Sequence, residues 1–529
     1  MTFLQRPLRI LFAWIEAALD RIFPPAWNPF YHLGALGFFY LWVVTVSGIY
    51  VYIFFDTGTT EAYDSVQYLT VDQWYLGGVM RSLHRYASDG MVLMMGVHML
   101  REFALDRYRG KRWFTWVTGL PILWLVFIAG ITGYWLVWDK LAQYVAQVSA
   151  EWLDWLPIFG TPVVRNFLAP VLLDDRFFTL LTFIHIAVPL TLVFILWIHL
   201  QRVSRPEVNP ARGLAIGTLL MLLVLSLVKP AGSQGAADLA RVPAEVGLDW
   251  FYLFAYPIAD IWSSGALWLF LMALSLIVFV MPWMPPMRRA AVATVDLANC
   301  NGCTRCAEDC PYSAVTMQPR SDDRPFEREA VVDPRLCVSC GICAGACPTS
   351  TPFRRGDTMA PGIDLPDTPL IELRDRIEAA TAALEGPARI VVFGCDRGIK
   401  IGRLGRPGAA TFSLPCIAAL PPSFIDYVIS RDLADGVVLT GCAEGNCYHR
   451  FGIDWTRDRI AQQRDPYLRA RVPRERLRMI WVGLTEPMAL ERALSDFAAE
   501  VAALPPELGR TLRRGAERRQ ATAEVPEHG

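Results

Sequence analysis

All 12 cysteines of this 529-residue chain lie at or beyond Cys300, and four of its seven histidines form two pairs at one spacing. The runs CNGCTRCAEDCP and CVSCGICAGACP supply Cys300, Cys303, Cys306 and Cys310, then Cys337, Cys340, Cys343 and Cys347. Cys395, Cys416, Cys442 and Cys447 follow at wider intervals. Disulfide frameworks belong to small secreted domains, whereas C-x-x-C spacing in a long chain favours metal ligation by thiolates in a reducing compartment. The histidine pairs are His84 with His98 and His185 with His199, each 14 residues apart. On a helix that is a rise of about 21 Å and a rotation within about 40° of whole turns, so both rings of a pair face the same way. Gly34 and Gly48 repeat the interval, as do Gly119 and Gly133. Glycine lets a backbone approach a flat ligand closely, so these four are expected contact points for a planar cofactor.

Apolar elements must carry the histidines. The chain is 53% hydrophobic, with a mean hydropathy of +0.30, and its apolar stretches fall before about residue 285. Six of them, 31–55, 79–104, 113–138, 176–201, 211–229 and 262–284, are long enough to cross a hydrocarbon core of ~30 Å. An even number puts both ends on one side. That side carries Arg6, Arg9, Arg21, Arg101, Arg107, Arg109, Lys111, Arg112, Arg202, Arg205, Arg212, Arg288 and Arg289. The opposite loops, 56–78, 139–175 and 230–261, hold far fewer: Lys140, Arg165, Lys229 and Arg241. The positive-inside rule therefore places both termini and all the cysteines in the cytoplasm, as the redox argument does independently. The second and fourth spans run in the same direction. His84 and His185 then share one depth and His98 and His199 the other. Two haems, each held by two neutral imidazoles, fit that square, and ligation removes the cost of a bare polar ring in lipid. Met91, Met94, Met95 and Met99 are expected to pack rather than ligate. The N-terminal LQRPLRILFAWIEAALDRIFPP has Glu16 and Asp20 among its apolar residues. Lacking a small-residue cleavage site, it reads as an amphipathic surface helix and not as a signal peptide. The net charge of -1 says nothing of partners, but the chain has no basic footprint of the kind nucleic acid requires.

The stretches SLHRYASDGMVLMMGVHMLR, TWVTG and ITGYWLVWD, with the two histidine pairs, resemble the cytochrome b of quinol-oxidising bc and b/f complexes. The resemblance covers about the first 285 residues. It implies a periplasm-side haem on His84 and His185, a cytoplasm-side haem on His98 and His199, and haem propionates near Arg81 and Arg101. In the b/f branch a cysteine near the start of the first span binds an extra haem covalently. His32 stands there in this chain, which excludes that attachment and makes His32 a candidate for a cytoplasm-side quinone pocket. Between its fifth and sixth spans the family carries Pro-Glu-Trp-Tyr at the quinol-oxidation pocket. The stretch GLDWFYLFAYP aligns with it: Leu248 replaces proline, Asp249 the glutamate, Trp250 stays and Phe251 replaces tyrosine. A partly buried acid among aromatics can accept a quinol proton. Asp249 and Trp250, with Asp139 at the end of ITGYWLVWD, are the candidate catalytic residues.

Both cysteine runs read C-x2-C-x2-C-x3-C-P, the pattern of a two-cluster bacterial ferredoxin, in which the fourth thiolate of each run reaches the other cluster. Cys300, Cys303, Cys306 and Cys347 are expected to hold one 4Fe–4S cluster, and Cys337, Cys340, Cys343 and Cys310 the second. Zinc sites rarely repeat this run. Farther on, ARIVVFGC, TFSLPC and DGVVLTGC are short apolar strands ending in cysteine, and strand ends are where open α/β sheets build sites. Cys395, Cys416, Cys442 and Cys447 are expected to converge on one more cluster, of the 2Fe–2S type. LPCIAALPPSFIDYVISRDLADGVVLTGCAEGNCYHRFG resembles the iron–sulfur delta subunit that links hydrogenases or flavoproteins to heterodisulfide reductase. Family members continue with Gly-Asn where this chain has Gly452 and Ile453. His449 is expected to be exposed.

The fold class is thus multidomain: an all-α six-span membrane haem bundle, a ferredoxin-like 2×4Fe–4S domain and a small α/β domain. Expected boundaries are 1–25 for the surface helix, 26–290 for the dihaem cytochrome b domain, 291–358 for the ferredoxin, 359–508 for the delta-subunit-like domain and 509–529 for a disordered tail. The function expected is electron exchange between membrane quinone and a cytoplasmic partner through two b haems and the clusters, in the inner membrane of a bacterium. The alternative is a conducting anchor without a quinone site. No strand–GxGxxG–helix unit occurs, so a flavin or NAD(P) site belongs to a soluble partner, a flavoprotein, NAD(P)-linked or heterodisulfide-reductase-like subunit. Homodimerisation and electron bifurcation are left open by the sequence. Bifurcation would need a separate high-potential or flavin partner, because the chain has no Rieske-type Cys/His pair.

Overall fold

The computed structural model describes residues 3–158, 160–167, 173, 175–203, 206–243, 245–250, 252–284, 290–353 and 359–505. Phe251, the tail 509–529, and Arg205, Arg288 and Arg289 of the charge argument lie outside the described residues. The chain divides into two compact units, residues 1–12 with 19–287 and residues 13–18 with 288–529.

Helix α1 (Gln5–Asp20) is divided between the units, and the rest of the first unit is helical: α2 (Leu33–Ile53), α3 (Glu61–Gln67), α4 (Val79–Ala104), α5 (Trp113–Val137), α6 (Lys140–Asp154), α7 (Asp175–Leu200), α8 (Arg212–Val228), α9 (Tyr256–Ile261) and α10 (Ser264–Val280). Among the described residues four segments are both long and apolar enough to cross a membrane: Pro29–Ile53, Gly110–Val137, Asp175–Leu200 and Ser264–Trp283. The other two expected spans each meet one condition. Helix α4 has the length, 26 residues, but carries Arg81, Arg85, Asp89, Arg101 and Glu102. Helix α8 is apolar but has 17 residues. Helix α4 packs along α2, and α5 along α7. Leu36, Tyr40, Leu83, Ala87, Val126 and Leu192 form the core among them. The reading of 139–175 as a plain loop is incomplete. Helix α6 lies there, with Val145, Ala146 and Ala150 buried beside Trp135, Phe178 and Tyr252.

The second unit begins with β1 (Thr294–Val295), α11 (Arg305–Glu308), β2 (Val315–Pro319), β3 (Arg328–Val332), α12 (Ile342–Ala346) and β4 (Ile363–Asp364). Strand β1 pairs antiparallel with β4, and β2 with β3. The two cysteine runs share a backbone as well as a spacing. Gly302 and Thr304 in the first, and Ser339 and Gly341 in the second, take left-handed conformations at equivalent positions. There follow α13 (Leu370–Thr381), β5 (Ile390–Cys395), β6 (Ala409–Leu414), α14 (Pro422–Ser430), β7 (Gly436–Thr440), α15 (Gly452–Ile460), β8 (Leu477–Ile480) and α16 (Pro487–Ala502). Strands β5 to β8 form one parallel sheet in the order β6-β5-β7-β8. Every residue of β5 is buried, as suits a central strand covered on both faces. Apolar residues of α13 and α14 cover one face, and those of α16 the other.

Candidate redox centres

Four glycines face four histidines in the first unit. A Cβ on Gly48 would lie 2.8 Å from Cε1 of His84, and one on Gly133 2.9 Å from Cε1 of His185. At the other depth Gly34 meets His98 at 3.6 Å and Gly119 meets His199 at 3.5 Å. An imidazole edge fills the space beside Gly48 and Gly133, and one lies at ordinary contact distance from Gly34 and Gly119. The rings of His84 and His185 are 6.3 Å apart between centroids. Two imidazoles sharing a metal at bonds of about 2 Å, with about 1 Å more from each nitrogen to its ring centre, span about 6 Å.

Residues missed in the sequence fix the tautomers. His84 Nδ1 donates to Val44 O at 2.9 Å and lies 3.3 Å from Ser47 Oγ. His185 Nδ1 is 3.1 Å from Thr132 Oγ1, and His199 Nδ1 is 3.0 Å from Thr118 Oγ1. Both threonine hydroxyls already donate to carbonyls one turn back, Thr132 to Ile128 O and Thr118 to Phe114 O, each at 2.8 Å. They must therefore accept from Nδ1–H, which leaves the Nε2 lone pair free to bind a metal. The signal was readable: Ser47, Thr118 and Thr132 each immediately precede one of the glycines.

Other candidates sit as follows. Arg81 bonds Thr70 Oγ1 and, at 2.9 Å, Ser233 Oγ. Arg101 is buried, with its guanidinium 5.8 Å from the centre of the Tyr31 ring. His32 Nδ1 is 3.9 Å from a carboxylate oxygen of Glu207. Asp139 caps α6: Oδ1 accepts from Ala142 N at 2.9 Å and Oδ2 from Gln234 N at 2.8 Å. Both oxygens are thus held by backbone amides, which gives Asp139 a structural task. Asp249 is different. Its side chain is 7% exposed and bonds both Arg85 and the Tyr134 hydroxyl. Arg85 also holds Asp89 at 2.7 Å and lies over the Tyr134 ring. Trp250 is 67% exposed and is not part of this cluster of contacts.

In the second unit the cysteines gather into three sets. Burial pushes the Cys306 thiol up to about 12, with Cys303, Cys347 and Cys300 adding to the rise. Burial does the same to Cys340, where Cys310 and Cys337 are the neighbours. The fourth cysteine of each run therefore sits with the other run. The third set surrounds the carboxyl end of β5, the strand at which the sheet order reverses. Cys395 ends β5, Cys416 follows β6 and Cys442 follows β7, the crevice where open parallel sheets place ligands. Cys442 interacts with both Cys395 and Cys447. Gly452, at the departure noted above, opens this crevice: a Cβ there would stand 2.4 Å from Cys416 Sγ and 3.3 Å from Cys447 Sγ. His449 corrects an expectation. It is buried, with Nδ1 2.9 Å from the Tyr312 hydroxyl, because the residue packs where the two halves of the unit meet. Among the described residues no three Cys, His, Asp or Glu side chains close around a single-ion position.

Residues 18–205 match the family model described as "Cytochrome b/b6/petB", 299–351 the "4Fe-4S dicluster domain", and 403–505 the "Methyl-viologen-reducing hydrogenase, delta subunit". Three electron-transfer domains share this chain. The cytochrome b match spans all four paired histidines, the dicluster match both cysteine runs, and the delta-subunit match Cys416, Cys442 and Cys447, with Cys395 before it. A solved structure titled "Hyperthermophilic respiratory Complex III" is also similar: 18% identity over 48% of this chain and 74% of that one, with a TM-score of 0.39. The cofactors are haem b in the cytochrome b domain and 4Fe–4S clusters in the dicluster domain. The local structure fits both. His84, His185 and His199 present Nε2 lone pairs, and the Cys306 and Cys340 thiols, whose ionisation burial opposes, need a metal to become thiolates.

Proposed function

We propose that the chain passes electrons between membrane quinone and a soluble cytoplasmic partner, with a quinone site of its own at Asp249. One observation carries this reading: Arg85 lies between two carboxylates, Asp89 and Asp249, in a half-buried cluster closed by Tyr134. Two acids on one guanidinium leave an excess negative charge, which one proton neutralises. Asp249 takes the quinol proton while Arg85 keeps Asp89, so the cluster gains a proton without losing its internal pairing. Tyr134 and Arg85 both donate to Oδ2 of Asp249 and fix the carboxylate. A general base must lie within hydrogen-bond reach of the proton it takes, and Asp249 is the acid of the stretch that aligns with the quinol-oxidation motif.

The haems and clusters supply one-electron carriage. The chain's residues do the rest: His84 with His185 and His98 with His199 offer two iron sites, Arg81 and Arg101 offer cations for propionates, and the two crossed cysteine sets offer sites for the cubanes. Cys395, Cys416, Cys442 and Cys447 would hold the last centre, of the 2Fe–2S type, facing a flavin- or nicotinamide-binding subunit. In this reading six helices span an inner membrane, with both termini in the cytoplasm. Asp249→Asn tests it. Haem reduction by a short-chain quinol is expected to slow at least about tenfold, as loss of a general base does, with haem content intact. An unchanged rate would favour the conducting-anchor reading.

A further inference from the structure

Within the second unit one buried cation ties the dicluster and delta-subunit domains together. Arg459, on α15, is 1% exposed. Its Nη1 donates at 2.8 Å to Ala418 O, two residues past Cys416. Its Nη2 donates at 2.6 Å to Asp309, the neighbour of Cys310, and lies 3.5 Å from Ile342 O, between Cys340 and Cys343. Asp309 also binds Arg464, so the seam holds two guanidinium groups against one carboxylate. Cys340 and Cys416 share a buried cluster with Ile342, Ala418 and Trp455. Among the described residues the buried Nε–H of Arg459 has no hydrogen-bond partner. A buried charged donor without an acceptor is costly and calls for a specific one.

We propose that Arg459 is a positioning residue for the electron step between the cubane set Cys310, Cys337, Cys340 and Cys343 and the C-terminal cysteine set. Its side chain clamps the two ligand loops together, and its free Nε–H donates to a sulfur of the C-terminal centre. In the step one electron leaves one centre and enters the other, and no bond or proton moves. Positive charge and N–H···S bonds both favour the reduced form, so Arg459 raises the potential of that centre. The inference rests on the reading that the four C-terminal cysteines hold an iron–sulfur centre.

The test uses the full chain purified in detergent, with iron and sulfide analysis before redox titration followed by electron paramagnetic resonance. Arg459→Met is expected to shift the reduction equilibrium of the C-terminal centre about tenfold toward the oxidised form, about 59 mV for one electron. It is also expected to weaken that centre's spin–spin interaction with the neighbouring cubane. Arg459→Lys, which keeps the charge but loses Nε–H, should shift the equilibrium about threefold. If Arg459→Met does not assemble, Arg459→Lys carries the test. Full iron content with unchanged potential and spin coupling in either variant would overturn the proposal. Wild-type iron content and spectra in Cys416→Ser would instead sink the reading of a centre at those cysteines.

Discussion

At the scale of single residues, the hydroxyls beside the glycines decide more than the histidines alone could. A histidine in an apolar helix ligates only if its ring is turned and its proton is on the far nitrogen. Thr132 does both for His185 by accepting from Nδ1–H while donating to Ile128 O. Thr132→Val is expected to lower haem affinity about 10–100-fold, the usual cost of losing a supporting bond to a ligand, with Thr132→Ser retaining it; haem retention during dialysis reads this out. Gly133→Ala sets a methyl group 2.9 Å from the His185 ring and should lose haem absorbance without unfolding the helices. The histidines were legible because 14-residue spacing is a one-dimensional signal. The Asp249 contacts were not, since Arg85 and Asp249 are 164 residues apart and nothing local announces their pairing.

Among the elements, the strands ending in cysteine were legible as β5, β6 and β7, because short apolar runs bounded by glycine and cysteine stand out from their surroundings. Strand β8, LRMI, was not, since its burial is partial and alternates with Arg478. Helix α6 was missed for a related reason: its apolar stripe is one-sided and too short to read as a span. Its N-terminus depends on Asp139, and Asp139→Ala should cost about 1 kcal/mol, seen as a lower melting temperature with unchanged haem spectra. The cysteine loops give a pH prediction. In the iron-free chain burial raises Cys306 and Cys340 from 9.0 to about 12. Such groups contribute stability below pH 9, and it is lost as the pH rises toward 12. Calorimetry of iron-free protein should therefore show a lower melting temperature at about pH 10.5 than at about pH 8, while the iron-loaded protein, its thiolates already bound, changes less.

For the whole molecule, composition separated an apolar half without cysteine from a polar half holding every cysteine, and the division of the chain near residue 287 follows that change. The six-span count is less direct, because α4 trades hydropathy for the charged residues that serve the candidate sites. The central claim is that one chain conducts from quinone to its C-terminal cysteines. The most direct measurement is an anaerobic single-turnover experiment on the purified full chain. Its haems and clusters are first reduced with a low-potential viologen, which is removed before a soluble quinone is added. Haem absorbance and cluster resonance are expected to decay together as quinone is reduced, with Asp249→Asn slowing both alike. Clusters that stay reduced while the haems reoxidise, or haems indifferent to quinone, would contradict it.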